Sequence, residues 1–365
     1  MKRRCLPLAA AALSGSLLAS TVWGTGTGYL FVSSEKDNSV LVLDGSNYQV
    51  VKTIATAARP RHLGFSPDRR TIYVACGDGD AIDLIDVDKL ELVDRISGLE
   101  DPEAFDFSPD GNTMFISLED DAALGFLDLP TYFEQRDEKP ELTVAEPELD
   151  AADSEDEEED DTGSGTPTAM PGLSSIEVGP EPEGVLVRPD GNRVWVTSEV
   201  ANLVHVVDVQ QKQIVANILV GNRPRRFALT PDGKELWVSN ELSGSVSIID
   251  TVSNQRIGEI PFQPKGFRPE DVTPVGLAMS RDGTTLIVGL GRANHVAFVD
   301  VPSRTVEDYV LVGSRAWNIR LSRDESTLYV VNGLSDDVSI IDMASRKVQR
   351  SIPVGRVPYM VLVDD

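Results

Sequence analysis

Arginine, glutamate and aromatic residues recur on both sides of a proline that returns along this chain. The proline stands at positions 60, 102, 182, 224, 274 and 358, and alanine replaces it at 316. Arginine can pair with a carboxylate through two parallel hydrogen bonds, which suits recognition of an acid, a lactone product or an acidic loop. The predicted binding residues are Arg59, Arg61, Glu103, Glu183, Arg223, Arg225, Arg315, Trp317 and Tyr359. Arginine with tryptophan and tyrosine also anchors protein interfaces. The alternative is that these side chains are solvated and form ion pairs that contribute little to stability.

No strong catalytic or cofactor motif accompanies these residues. The sequence has no Cys-x-x-Cys-His for haem attachment and no glycine-rich phosphate loop between a strand and a helix. His62, His205 and His295 fall at unrelated positions of the repeat described below, which is more typical of structural residues than of metal ligands. Residues 78–83 resemble part of a calcium loop but lack the rest of the pattern. We therefore predict no catalytic residue, no metal site and no cofactor.

A sequence repeat positions the candidate residues. Aspartate ends an alternating apolar run seven times, usually at a spacing of 42 residues, and an aromatic column keeps the same spacing. The aspartates are Asp44, Asp86, Asp128, Asp208, Asp250, Asp300 and Asp342. Seven copies in equivalent turns indicate a structural role in capping those turns. A period of about 40–45 residues with four short strands is typical of a propeller blade, so the sequence predicts an all-β, seven-bladed β-propeller of four-stranded antiparallel blades.

The two ends of the chain are predicted to complete one blade together. The repeat starts at a second strand, residues 29–32, and stops at a first strand, residues 358–363. Pairing of the N-terminal strands with the C-terminal strand would close the ring and remove free sheet edges. In a propeller, the starts of the first strands surround the upper mouth of the central channel, where we place the predicted binding residues. Loops between second and third strands open on the same face and add Glu35, Glu119, Glu199 and Glu241.

Two segments fall outside the repeat. Basic residues at positions 2–4 precede an apolar run over residues 6–18 and then small residues, so residues 1–24 are predicted to be a signal peptide, too short to span a membrane. Residues 25–365 form a single propeller interrupted by an insertion at 134–171. The stretch 134–161 carries 15 acidic and 2 basic residues, and such composition predicts disorder. The formal net charge of −26 argues against nucleic acid and anionic membranes as partners.

The strand sequences resemble a known repeat family. Leu236-Trp237-Val238-Ser239-Asn240 and residues 328–332, each followed by Val-Ser-Ile-Ile-Asp, are similar to the YVTN β-propeller repeat. Seven units behind a signal peptide, with an opening such as residues 29–38, resemble the PQQ-dependent catabolism-associated β-propeller proteins of Gram-negative bacteria. The resemblance covers the chain except the signal and the acidic insertion. It implies a periplasmic protein that accompanies quinoprotein alcohol oxidation without established catalytic residues. The cysteine pair and tryptophan-rich blades of quinoprotein dehydrogenases are missing, so PQQ itself is not expected to be carried by this chain.

The predicted function is binding at the upper channel mouth. We expect a non-catalytic periplasmic or secreted propeller that binds a partner protein or a small polar ligand, accessory to PQQ-dependent alcohol catabolism. A quinoprotein dehydrogenase or a periplasmic solute-binding protein is the expected partner. The alternative is a lactone or ester hydrolase with a metal or general base at the mouth, for which Glu103, Glu183 and His62 are the candidates. A structural or adhesion module is a third interpretation, but no anchor or second repeat array supports it.

Overall fold

The computed structural model describes residues 26–136, 139, 142–146 and 170–365. Within these residues the chain forms seven four-stranded antiparallel sheets, which confirms the prediction of a seven-bladed β-propeller. The predicted signal peptide, residues 1–24, lies outside the described residues and stays a prediction.

Each blade begins with an innermost strand at the channel and ends with an outermost strand at the rim. Blade 1 contains β28 (Pro358–Asp364), β1 (Tyr29–Ser34), β2 (Ser39–Asp44) and β3 (Val50–Ala55); blade 2 contains β4 (Pro60–Phe65), β5 (Thr71–Cys76), β6 (Ala81–Asp86) and β7 (Glu91–Ser97). Blade 3 contains β8 (Pro102–Phe107), β9 (Thr113–Leu118), β10 (Ala123–Asp128) and β11 (Leu173–Glu177); blade 4 contains β12 (Pro182–Val187), β13 (Arg193–Ser198), β14 (Leu203–Asp208) and β15 (Gln213–Leu219). Blade 5 contains β16 (Pro224–Leu229), β17 (Glu235–Asn240), β18 (Ser245–Asp250) and β19 (Gln255–Pro261). Blade 6 contains β20 (Leu277–Met279), β21 (Thr285–Gly289), β22 (His295–Asp300) and β23 (Thr305–Leu311); blade 7 contains β24 (Ala316–Leu321), β25 (Thr327–Asn332), β26 (Asp337–Asp342) and β27 (Lys347–Pro353). Short 3₁₀ helices span Gly77–Gly79, Glu241–Ser243 and Pro269–Asp271, and the helix α1 spans Leu129–Gln135.

The ring closes where the two ends of the chain meet. The C-terminal strand β28 pairs antiparallel with β1, with Tyr29 opposite Asp364 and Val32 opposite Val361. The backbone nitrogen of Thr27 donates to the Asp364 carboxylate at 2.9 Å, and the Thr27 hydroxyl donates to it at 2.8 Å. This pairing is the predicted closure, and it leaves the first blade with the same four strands as the others.

The second and third strands supply the core because both of their faces are covered by neighbouring blades. The large side chains of the aromatic column, such as Phe31, Trp195 and Trp237, are fully buried. Phe31 of blade 1 lies in one cluster with Ile72 and Val74 of blade 2, so the apolar contacts join blade to blade. The outermost strands are largely exposed. Burial between blades holds the ring together and fixes the positions of the innermost strands.

The repeated aspartates cap turns, as predicted. Asp44 accepts a hydrogen bond from the backbone nitrogen of Ser46 at 2.8 Å, and Asp250 accepts from that of Ser253 at 2.7 Å. Asp128 differs in its local structure because the helix α1, which leads into the insertion, follows it directly. Its carboxylate accepts from the backbone nitrogen of Thr131 at 2.8 Å and caps α1 in place of a turn.

A β-bulge near the start of the first strands changes the direction of two side chains. In β16, Pro224 pairs with Asn240, but the next paired residue is Phe227, opposite Val238. The same register shift occurs in β4, β8, β12, β24 and β28. A bulge interrupts the alternation of side chains and re-aims them. Consecutive residues such as Arg225 and Arg226 can therefore contact the same partner.

Part of the insertion crosses from the lower to the upper side of blade 2. After α1, Arg136 pairs with Asp94 of the outer strand at 2.7 Å. Further along, the backbone nitrogen of Ala145 donates to the Thr56 carbonyl oxygen at 2.9 Å, and the side chain of Asn38 donates to the Glu146 carbonyl oxygen at 2.7 Å. Residues 147–169 lie outside the described residues, and the disorder predicted for them stays a prediction.

Candidate functional site

Two layers of equivalent residues surround the upper mouth of the channel. The outer layer consists of the residues before the proline position: Arg59, Asp101, Glu181, Arg223, Thr273, Arg315 and Val357. The inner layer consists of the residues after it: Arg61, Glu103, Glu183, Arg225, Val275, Trp317 and Tyr359. All nine predicted binding residues belong to these layers, so the fold brings them to one end of the channel.

The outer layer is held in an uncommon backbone conformation. Six of its seven residues have positive φ angles between 40° and 61°, including the β-branched Val357 at 49°. Side chains of the preceding blade fix this conformation. The backbone nitrogen of Arg59 donates to Asn38 at 2.9 Å, and that of Val357 donates to Asp336 at 2.8 Å. The mouth is thus pre-formed by contacts between blades.

Hydroxyl groups of the second strands fix the inner layer. The Ser33 hydroxyl donates to the Arg61 carbonyl oxygen at 2.8 Å, and the Ser117 hydroxyl donates to the Glu183 carbonyl oxygen at 3.0 Å. Each bond joins one blade to the next, because the serine and its acceptor belong to adjacent sheets. These bonds set the positions from which the inner-layer side chains enter the channel.

Glu183 lies at the centre of the charged side chains. It is 3% exposed, accepts a hydrogen bond from the Tyr359 hydroxyl at 2.9 Å and pairs with Arg226 at 2.7 Å. Arg225 adds a second guanidinium at 3.4 Å. Burial alone would raise the pKa of Glu183, but the guanidiniums of Arg225, Arg226 and Arg61 hold it well below its usual range. Glu183 is therefore the anion that compensates several buried cations.

Arg225 extends this network towards blade 4. It is 3% exposed and pairs with Glu199, which also binds Arg223 at 2.5 Å. Burial raises the pKa of Glu199 to about 7, an effect that Arg225 and Arg223 only partly oppose. Arg225 and Arg223 are thus occupied by carboxylates of the protein itself.

Three carboxylates gather on the side of blade 3. Oxygen atoms of Asp101, Glu103 and Glu119 lie within 4.8 Å of one another. Arg59 pairs with Asp101 at 2.5 Å and with Glu103 at 2.9 Å, and Arg61 also pairs with Glu103. Burial and the adjacent Glu103 raise the pKa of Glu119 to about 8. Carboxylate oxygens are the ligands that Ca²⁺ and Mg²⁺ prefer, so these are the residues that could hold a divalent ion.

The remaining part of the inner layer is apolar. Val275, Trp317 and Tyr359 form one buried cluster. The guanidinium of Arg315 lies 4.3 Å from the centre of the Trp317 ring. Arg315 makes no salt bridge with any residue that the structure describes, in contrast to Arg59, Arg61, Arg223 and Arg225. Its cation is available to a ligand.

Sequence reasoning missed Arg226, which lies one position beyond the inner layer. Three of the six equivalent residues are small, and the set is mixed: His62, Ala104, Gly184, Gly276, Asn318 and Met360. A Cβ atom at Gly184 would collide with the carbonyl oxygen of Arg225. Because this column varies in size and chemistry, the repeat pattern alone did not mark Arg226 as part of the site.

His62, the third candidate for a general base, lines the lower half of the channel with Phe105 and Arg320. Its ring packs edge-on against Phe105, with centroids 4.8 Å apart, and burial lowers its pKa to about 3. The structure places it with these residues of the lower channel and not among the carboxylates of the mouth.

Comparisons with known proteins agree with the fold. A YNCE-like β-propeller family model matches residues 7–129, and a model of the seven-bladed β-propeller lactonases matches residues 166–261. No curated protein matches the chain. These partial matches support the resemblance to propeller proteins, whereas assignment to the YVTN repeat and to the PQQ-associated subgroup stays a prediction.

Solved structures with the same fold include proteins of different activities. Hydrazine synthase from Kuenenia stuttgartiensis is 20% identical, with a TM-score of 0.69 over 90% of this chain and 99% of that chain. The periplasmic gluconolactonase PpgL from Pseudomonas aeruginosa is also 20% identical, with a TM-score of 0.68 over 92% of this chain and 99% of that chain. At this identity the likeness establishes the fold alone. Within the described residues, no helix has the length and hydropathy of a membrane span.

Proposed function

We propose that this protein is a non-catalytic, periplasmic propeller that docks a partner protein on its upper face in the service of PQQ-dependent alcohol catabolism. The partner is a quinoprotein dehydrogenase or a periplasmic solute-binding protein. A small polar ligand at the same mouth is the alternative occupant.

The observation that carries this proposal is the set of aliphatic side chains exposed on the upper loops. Five such residues, each 58–65% exposed, lie at the upper ends of strands or in upper loops of blades 4 to 7: Val200, Leu219, Leu242, Leu311 and Leu334. Backbone hydrogen bonds fix two of these loops. The backbone nitrogen of Leu242 donates to the Asn222 carbonyl oxygen at 3.1 Å, and that of Leu334 donates to the Ser314 carbonyl oxygen at 3.0 Å. Exposed apolar side chains gathered on one face of a protein are a feature of surfaces that another protein covers.

Arg315 supplies a charged anchor inside this surface. The other predicted arginines are neutralised by carboxylates of the ring, but Arg315 stacks on Trp317 without an acidic partner among the described residues. An arginine supported by an aromatic ring is a common hot spot of protein interfaces. A carboxylate on the partner would complete its ion pair.

The cellular setting is inferred from the sequence and from one structural neighbour. The predicted signal peptide and the resemblance to PQQ-associated propellers favour the periplasm. One structural neighbour is named a periplasmic gluconolactonase. The link to alcohol oxidation comes from the resemblance, and identification of the partner would test it.

The test is capture of the partner by the tagged mature protein from a periplasmic extract of alcohol-grown cells. Leu334→Asp places a charge on the upper face, whereas Val252→Asp makes the same kind of change at a 78% exposed residue in a lower turn. The proposal expects a quinoprotein dehydrogenase or solute-binding protein to be captured by the native chain and by Val252→Asp, but not by Leu334→Asp. Equal capture by all three proteins, or no specific capture, would contradict it.

A lactone hydrolase is the second candidate, favoured by the carboxylate cluster and by the lactonase model that matches residues 166–261. A divalent ion held by Asp101, Glu103 and Glu119 would activate water. Addition of this water to the lactone carbonyl breaks the ring C–O bond and releases the hydroxy acid. If the protein is a lactone hydrolase, it should hydrolyse gluconolactone only in the presence of a divalent metal ion. Glu119→Gln should abolish this activity, and Glu181→Gln should retain it. Hydrolysis no faster than in buffer would exclude gluconolactone as the substrate.

A further inference from the structure

The lower half of the central channel contains a cavity that upper-face docking does not use. Below the inner layer, the later residues of the first strands enclose about 450 Å³. Small-molecule sites typically have volumes of roughly 300–1,000 Å³ and mostly apolar walls. Much of this wall is apolar, with Phe65, Phe105, Phe107, Phe227 and Met360 among the lining residues. The cavity therefore has the size and lining of a site for a small organic molecule.

One cation in this cavity is uncompensated. Arg320 of β24 lines the cavity, and its exposed side chain makes no ion pair or hydrogen bond with a described residue. Arg69, which also lines the cavity, is already paired with Asp364 at 2.7 Å. Arg226, a further lining residue, pairs with Glu183 at 2.7 Å. Only Arg320 among these three arginines lacks an anion.

The carboxylate of Asp106, on another part of the wall, is occupied in a different way. It accepts hydrogen bonds from the backbone nitrogens of Val187 at 2.7 Å and Phe107 at 2.8 Å. It makes no salt bridge with Arg320. The Arg320 side chain is exposed to the channel, and its positive charge remains available to a ligand there.

His62 adds an unsatisfied polar atom to the same cavity. Its Nδ1 atom is buried and has no hydrogen-bond partner within the described structure. A buried nitrogen without a partner costs about 1–3 kcal/mol, and a ligand that forms a hydrogen bond with this atom would relieve the cost. Asn318 does not fill this role, because its side chain donates to the Tyr359 carbonyl oxygen at 3.0 Å.

We infer that the lower channel is a binding site for a small organic monocarboxylate, with the carboxylate on Arg320 and the apolar body against the phenylalanines. A guanidinium binds a carboxylate through two parallel hydrogen bonds. A single cation without an acidic partner among the described residues suits one negative charge better than a polyanion. The inference uses no residue of the upper face and does not depend on partner docking.

Isothermal titration of the mature protein with benzoate tests this site, with benzamide as the uncharged probe of similar shape. Benzoate is expected to bind, and Arg320→Gln is expected to weaken it by roughly tenfold or more, the scale of one lost charged contact. Arg350→Gln is the matched control, because Arg350 is exposed on an outer strand and lies over Tyr48. This variant should bind benzoate as the native chain does.

Three results would overturn the inference. They are the absence of benzoate binding up to about 10 mM, equal binding of benzamide, and unchanged binding by Arg320→Gln. Arg315→Gln separates the two ends of the channel. If that variant loses benzoate while Arg320→Gln retains it, the anion binds at the upper mouth and the lower site is rejected.

Discussion

Two arcs of the inner layer differ in chemistry although the repeat places them at equivalent positions. Blades 2 to 5 contribute the charged arc: Arg61, Glu103, Glu183 and Arg225. Blades 6, 7 and 1 contribute the apolar arc: Val275, Trp317 and Tyr359. The charged arc satisfies itself through ion pairs across blades, whereas the apolar arc supports Arg315 without giving it an acidic partner. The dense cluster of charges is therefore the structural part of this mouth. Arg315, which has no acidic partner among the described residues, is the better candidate for binding.

The largest effect is expected from breaking the centre of the charged arc. Glu183→Gln removes the negative charge that compensates Arg225 and Arg226 in a buried setting. Loss of one partner from a buried ion pair costs about 3–5 kcal/mol because the other charge stays uncompensated. Urea denaturation should show this loss. Glu181→Gln, two residues away in the outer layer, should change the free energy of unfolding by about 0.5 kcal/mol or less, and equal stability of the two variants would contradict a structural role for the charged arc.

A smaller effect is expected where the two arcs meet. Tyr359 packs with Trp317, and its hydroxyl donates to Glu183 at 2.9 Å. Tyr359→Phe keeps the ring but leaves a buried hydrogen-bonding position unfilled, which costs about 1–3 kcal/mol. A double-mutant cycle with Glu183→Gln measures the coupling directly. Additive effects would show that the hydroxyl does not take part in the network.

The carboxylates of the mouth should make stability fall as pH rises. Glu119 holds its proton up to about pH 8, whereas an unfolded glutamate releases it near 4.5. Between these values the folded state binds more protons, so the stability contributed by this group is lost as pH rises through the folded pKa. Glu199, with a pKa of about 7, acts in the same direction. Glu183 is ionised in both states over this range and does not contribute to the slope.

Urea midpoints measured from about pH 5 to about pH 9 test this dependence. The midpoint should decrease with pH in the native chain and in Glu181→Gln. Glu119→Gln should reduce the slope because it removes one of the titrating groups. A slope unchanged by Glu119→Gln would show that this carboxylate titrates normally.

The smallest effect on stability is expected at the unpaired arginine of the apolar arc. Arg315→Gln breaks no salt bridge to a described residue and removes only a partly exposed stack on Trp317. Its free energy of unfolding should change by about 1 kcal/mol or less. Capture of the partner should nevertheless fall. Full capture by this variant would show that Arg315 is not the anchor.

The sequence was sufficient to predict the fold because each blade repeats the same local signals. Turn aspartates, the aromatic column and the split first blade all follow from the period, and pairing of β28 with β1 confirms the closure. The period also placed all nine predicted residues around the mouth. What it could not supply was the set of ion pairs between them, because those depend on distances across the channel.

Arg226 illustrates why the site was predicted incompletely. Strict alternation along β16 would place Arg225 and Arg226 on opposite sides of the strand. The bulge between Pro224 and Phe227 re-aims them, and both contact Glu183. The sequence placed Glu103 and Glu119 on the upper face but did not predict their cluster with Asp101, because Glu119 belongs to the loop between β9 and β10 and approaches Asp101 only after blade 3 folds.

Hydrogen exchange of the mature protein, alone and with its captured partner, tests upper-face docking most directly. The account predicts that binding slows amide exchange in the upper loops around residues 219–223, 241–244, 311–316 and 333–336. Exchange in the lower turn around residues 251–254 should be unchanged. Protection confined to the lower turns, or to the outer strands, would contradict the assignment of the upper face as the docking surface.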